Sequence, residues 1–234
     1  TVICDEVYCA WYKCGEIFYF KKFKNFQPDI ITLSKSLGGG KSSISALVAN
    51  EKLYNKVYGS FETAMLHTTT YNGFGEECAT AIEAINILVE EDYETKVKNL
   101  EEKIIKHLQI LKDKYPKKIK RFQGAGSLYG IEFFSMIDNF EPLLKNISLN
   151  TVKNKTSLIS KLNVASISSE LYSKHKILTY FSESENSNFL YVAPSLIASN
   201  ENIDYFFNSL DEVLKSKLDL KLLKYVINSI FNVV

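Results

Sequence analysis

Arginine is nearly missing from this chain: among 234 residues Arg121 is the only one, and the other 27 of 28 basic residues are lysine. Bidentate recognition of carboxylate or phosphate by a guanidinium is therefore restricted to that one position. The excess of lysine, with abundant Asn, Ile and Tyr, reads as the codon bias of an AT-rich genome, because the net charge is only +1. That balance, and the lack of any RNP-like motif, excludes a nucleic-acid-binding function. Cysteine is scarce as well. Cys4, Cys9, Cys14 and Cys78 contain no C-x-x-C and match no zinc-finger spacing, so no metal site is expected, and free thiols of a cytosolic protein are. No apolar run reaches the ~18 residues that a membrane span needs. The opening TVICDEVY has neither a charged n-region nor a cleavage site. It also has no initiator Met and begins inside a strand-like run, so a chain cut from something longer is expected.

What is present is globular: apolar residues at 46% and charged residues at 24% can bury a core as one large domain or a domain plus a smaller one. Short β-branched runs at Val2–Cys4, Ile30–Leu33 and Ile44–Ala49 end in polar or glycine-rich residues and predict buried strands. Helices are predicted over Glu76–Glu91, apolar around most of its circumference, and along Val97, Leu100, Ile104, Leu108 and Leu111, stopped by Pro116. Strands follow at Ile119–Phe122 and Leu128–Phe134 around the turn Gly124-Ala125-Gly126. Residues 135–155 read as a loop, Leu158–Lys174 as a helix, and Ile177–Phe181 and Phe189–Val192 as strands. Ser199 or Asn200 caps a helix carrying Ile203, Phe206, Leu210 and Val213, and the tail from Lys217 has weak helical spacing. A boundary is expected near residue 98.

Asp5 closes one predicted strand and Lys35 follows the next, so both are expected at one sheet edge. A carboxylate and an amine in that arrangement suit pyridoxal phosphate: the lysine forms the Schiff base, and the carboxylate keeps the pyridine nitrogen protonated. Gly38-Gly39-Gly40 would let backbone approach the cofactor. Read alone, Lys35 is one lysine among 27 and Asp5-Glu6 an uninformative pair.

Four stretches occur together and in order: ICDEVYCAWYKCGEIF, PDIITLSKSLGGG, HTTTYNGFGEECATAIEA and GAGSLYGIEF. Over roughly residues 1–215 this order and spacing resembles the class III aminotransferases, of the ornithine and acetylornithine type. The resemblance implies an α/β fold of the fold-type-I transferases. Residues 1–98 would be the C-terminal part of the cofactor-binding large domain, with a mostly parallel sheet and helices, and 99–234 a small C-terminal α+β domain. It implies pyridoxal 5'-phosphate as cofactor, with Asp5 on the pyridine nitrogen and Val7 against the ring. Lys35 would be the Schiff-base lysine and the acid/base of the 1,3-proton shift. Thr70 would reach the cofactor phosphate of a neighbouring subunit, which implies a homodimer with a shared active site. The implied reaction moves an amino group from an amine or ω-amino donor to a carbonyl acceptor. An aminomutase or decarboxylase of the same fold is the alternative, and a non-catalytic binding or structural subunit is another.

This sequence departs from the family in three ways. Tyr8 stands where many members have glutamine, and Tyr191 where members acting on α-amino or α-keto acids have an arginine clamp. Arg121 lies away from that motif, so a substrate bound without the clamp is expected. The phosphate-cradling loop and ring-stacking aromatic of the family lie upstream of the D-E-V strand, so this piece by itself is expected to bind cofactor weakly and to be inactive. His67 is expected to be structural, and His107 and His175, with no acidic partner at ligand spacing, have no assigned role.

Overall fold

The computed structural model describes residues 1–134, 163–182 and 189–216. The expected loop at 135–155, the start of the expected helix at 158–162 and the tail from 217 lie outside the described residues. The chain divides into two compact units, Thr1–Glu101 and Glu102–Val234.

In the first unit β1 (Ile3–Asp5), β2 (Ile30–Leu33) and β3 (Ala46–Ala49) form a sheet in the order β1-β2-β3. β1 runs parallel to β2 with Asp5 opposite Thr32, and β3 is antiparallel to β2. The sheet is thus mixed. α1 (Glu51–Tyr58) starts at Asn50, whose Oδ1 accepts a hydrogen bond from Leu53 N at 2.9 Å. α2 (Gly75–Glu90) lays Ala81 on a core of Ala10, Trp11, Leu33 and Leu37, with Ile85 and Leu88 beside it. Its other apolar positions, Ile82, Ile87 and Val89, are exposed, because one helix can turn only one stripe towards a sheet.

Parallel strands cannot be joined by a hairpin, so residues 6–29 cross from β1 to β2. They do so through turns and a single 3-10 turn at Tyr19–Lys22. Trp11 and Tyr12 both adopt left-handed φ values, 59° and 62°. That region costs an L-residue roughly 1–2 kcal/mol. Tyr12→Gly is therefore expected to be about 1 kcal/mol more stable than Tyr12→Ala in denaturant unfolding. Equal midpoints for the two variants would show that the turn is unstrained.

In the second unit the part of α3 (Tyr93–Lys114) beyond Glu101 buries Ile104, Leu108 and Leu111. β4 (Ile119–Ala125), β5 (Leu128–Phe133) and β6 (Phe189–Val192) form an antiparallel sheet in that order. The first turn is tighter than expected. Ala125 pairs with Leu128, which leaves Gly126-Ser127 as a two-residue turn, with Gly126 at φ 59°. α4 spans 163–175. The strand expected at Ile177–Phe181 is reduced to a single bridge between Phe181 and Leu190. α5 (Asn200–Lys215) is capped by Ser199, whose Oγ accepts from Asn202 N at 3.3 Å. It buries Ile203, Phe207, Leu210 and Val213, so Phe207, one turn from Ile203, replaces Phe206 on the core stripe.

Polar contacts tie α5 to α3. Lys103 Nζ and His107 Nε2 each lie 2.8 Å from the Asp204 carboxylate, and the His107 ring stacks on Phe207. The acidic partner that sequence spacing did not offer His107 thus comes from a distant helix, and the histidine is structural. Further along, Asp211 is met by Lys114 at 2.6 Å, Lys215 at 2.8 Å and the Tyr115 hydroxyl at 2.9 Å. Burial raises the Asp211 pKa, but these three donors outweigh it and bring it down to about 2, from 3.8. A carboxylate depressed in the folded state stabilises above its unfolded pKa, and that contribution is lost as pH falls through the folded one. Unfolding free energy is therefore expected to drop by about 2 kcal/mol between roughly pH 5 and pH 2. Asp211→Asn should flatten that part of the profile in urea titrations.

Candidate active site

The parallel pairing of β1 and β2 places the C-terminal ends of both strands at one edge of the sheet. Asp5 is the last residue of β1, and Lys35 opens the 3-10 turn Lys35–Gly38 just beyond β2. The Asp5 carboxylate is fixed locally. Its Oδ1 accepts from Val7 N at 3.0 Å and from Thr32 Oγ1 at 3.2 Å, so the neighbouring strand itself orients it. Val7 is half-buried beside it.

Lys35 is exposed and holds φ at 47°, a conformation that L-residues rarely adopt. Ser34 Oγ, bonded to Ile44 O at 3.1 Å, and buried Leu37 fix the turn on either side. Lys35 Nζ rests 4.1 Å from the centre of the Tyr8 ring. Asp5 and Lys35 both act on the Cys9 thiol, whose pKa burial raises and whose remaining shift includes a rise from Asp5 and a fall from Lys35. Asp5 and Lys35 thus stand at the same edge of the sheet, each at the end of one of two parallel strands. Beyond them an open groove of about 540 Å³ runs along β1, bounded by Asp5, Cys9 and an aromatic wall of Tyr19, Phe20, Phe23 and Phe26.

Glu6 was not singled out from the sequence, yet it organises this edge. Its side chain is buried, and its two carboxylate oxygens accept from Tyr19 N at 3.0 Å and Phe20 N at 2.8 Å. Its backbone N–H donates to Thr32 O and its carbonyl accepts from Ala10 N. One residue thereby pins the crossover to both strands. Nothing in the sequence marks it, because its partners lie 13 and 14 residues on in a stretch without periodicity.

Packing asks for glycine at Gly39 and not at Gly40. A Cβ at Gly39, which has φ 61°, would meet Ala84 of α2 at 2.9 Å, whereas one at Gly40 would meet nothing within 4 Å. Thr70 lies in the exposed turn ahead of α2, and no hydrogen bond joins it to Asp5, Val7 or Lys35. Among the described residues no group of three or more His, Cys, Asp or Glu is placed to hold a metal ion. Likewise no helix of the described residues is long and apolar enough to cross a membrane.

In the second unit, Arg121 and Tyr191 are each held by a neighbouring side chain. Arg121 is engaged with Glu132, a buried carboxylate that Lys120 also contacts at 2.9 Å. Burial raises the Glu132 pKa, but the Arg121 and Lys120 hydrogen bonds bring it below the usual value. The Tyr191 ring stacks on Tyr180 at 4.7 Å.

Comparison with known proteins gives a family. The model of the class-III aminotransferases matches residues 1–214. Among solved structures, a transaminase from the marine bacterium Virgibacillus superposes with a TM-score of 0.72 at 18% identity, over 96% of this chain and 46% of that one. An aminotransferase of Bacillus anthracis gives 0.71 at 23% identity, over 91% and 44%. An S-selective transaminase from Arthrobacter sp. with alanine bound gives 0.70 at 23% identity, over 91% and 43%. The chain spans less than half the length of these structures, and it shares their fold, that of the fold-type-I transferases.

Proposed function

The chain belongs to the class-III aminotransferase family, and from that premise we propose that it carries the lysine-bearing part of a transaminase. The proposed reaction passes an amino group from an amine or ω-amino donor, as in the ornithine and acetylornithine type, to a carbonyl acceptor. The observation that carries this reading is the placement of Asp5 and Lys35 at one end of a parallel strand pair. The family's cofactor is pyridoxal phosphate, and the donor set fits it: a fixed carboxylate for a cationic ring nitrogen, and an accessible primary amine for an aldehyde. When bound, the cofactor supplies an electron sink for the pair released at the substrate carbon. Asp5 holds the positive charge at the ring nitrogen, and Val7 packs beside it. Lys35 Nζ holds the cofactor and, once released, takes and returns the proton at the substrate carbon.

On this reading the first unit is the C-terminal part of the cofactor-binding domain and the second is the small domain. Thr70 reaches a second copy of the chain in a homodimer. The segment around it supports this, since Phe61 is 94% exposed and Met65, Leu66 and Tyr71 are exposed with it. The substrate carboxylate, where there is one, is not clamped by arginine: Arg121 is committed to Glu132, and Tyr191 to Tyr180. A cytoplasmic setting suits the free thiols.

The test is to incubate the enzyme that carries this chain with pyridoxal phosphate, reduce with borohydride and map the labelled peptides. Selective labelling of Lys35 over the other lysines supports the reading. Labelling spread evenly over the lysines would overturn it.

A further inference from the structure

Tyr8 occupies the first turn after Asp5, and its place there is set from several sides. Buried Glu6 anchors the crossover to Tyr19 N and Phe20 N, and Ala10 N bonds back to Glu6 O at 3.1 Å. Lys35 is set from its own side by the left-handed turn between Ser34 and Leu37. Two independently fixed backbones thus bring a half-buried phenol ring and an ammonium group face to face, 4.1 Å from nitrogen to ring centre. The negative face of an aromatic ring attracts such a cation.

We propose that Tyr8 is a positioning residue whose ring face holds the Lys35 ammonium group at the sheet edge before the lysine first joins the cofactor. A free lysine side chain samples many rotamers, and each must be given up before its nitrogen meets a carbonyl. Held on the ring, the nitrogen waits at the sheet edge and gives up its proton as it joins the carbonyl. The ring face makes this contact, so the phenol hydroxyl is dispensable for it. The meaning of the contact rests on Lys35 being the cofactor lysine, but its existence does not.

The contact is read without cofactor. Reductive methylation with ¹³C-formaldehyde keeps the charge of lysine and gives each side chain an NMR signal, that of Lys35 being identified by its loss in Lys35→Arg. The Lys35 methyl resonance is expected upfield of the other lysines, through the ring current, in the parent and in Tyr8→Phe. It is expected to return among them in Tyr8→Leu. A parent resonance already among the others, or one still displaced in Tyr8→Leu, would overturn the proposal. Should Tyr8→Leu fail to fold, Overhauser contacts between the Lys35 methyls and the ring in Tyr8→Phe decide instead, their presence supporting the proposal and their absence overturning it. Borohydride mapping reports on the cofactor lysine separately, so either reading can fail while the other stands.

Discussion

In the enzyme that carries this chain, Lys35→Ala and Lys35→Gly are both expected to abolish stable retention of pyridoxal phosphate and amino transfer. Among the described residues no other lysine directly follows a strand that runs parallel to β1, so none is placed to take over. The two variants should nevertheless differ in stability. Lys35 is exposed, and losing its side chain removes little packing, so Lys35→Ala should stay within about 0.5 kcal/mol of the parent. Its φ of 47° is strained for alanine as for lysine, and glycine relieves that strain. Lys35→Gly should therefore be more stable than Lys35→Ala by about 1 kcal/mol. Absorbance of the bound cofactor and urea midpoints, measured on the same preparations, give both results. A glycine variant no more stable than the alanine variant would remove the argument that strain is stored at this site. Retention of the cofactor band in either would remove Lys35 from its proposed role.

Glu6→Leu is expected to destabilise the chain by roughly 2–4 kcal/mol, and to weaken cofactor binding although Glu6 has no proposed contact with cofactor. Leucine fills comparable space but leaves Tyr19 N and Phe20 N without the acceptor that now satisfies both. Those two donors begin the 3-10 turn whose aromatic residues wall the groove beside Asp5. Glu6→Gln is the milder comparison, since its amide oxygen can still accept one of the two bonds. Chemical unfolding should rank the parent above Gln and Gln above Leu. A leucine variant as stable as the parent would mean that the crossover does not depend on this carboxylate.

Much of this was legible in the residues themselves, for a local reason. A strand announces itself by β-branched residues and punctuation, so Ile30–Leu33 was found at its observed bounds. A helix announces itself by its period, so Val97, Ile104, Leu108 and Leu111 were placed on the buried stripe of α3. The juxtaposition of Asp5 and Lys35 was legible because strand ends carry it, and the family resemblance because four motifs keep their order. Where local pattern meets a choice of partner, it fails. The apolar residues of α2 do not say which of them a single sheet will cover, and Phe206 and Phe207 are alike until α5 is docked.

By itself, then, the sequence determined the class of fold and the family, and it offered the two residues proposed to carry the chemistry, since composition, periodicity and motif order are properties of the chain read along its length. Only the tertiary structure decided that Glu6 holds the crossover, that Tyr8 lies under Lys35, that His107 pairs with Asp204 97 residues away, and that Arg121 is spent on Glu132. Each of these is a contact made by a side chain with a partner whose approach depends on how the intervening backbone closes. The energy that selects such a pair, burial of a charge with its partner or of a ring with its cation, exists only once that closure has been made.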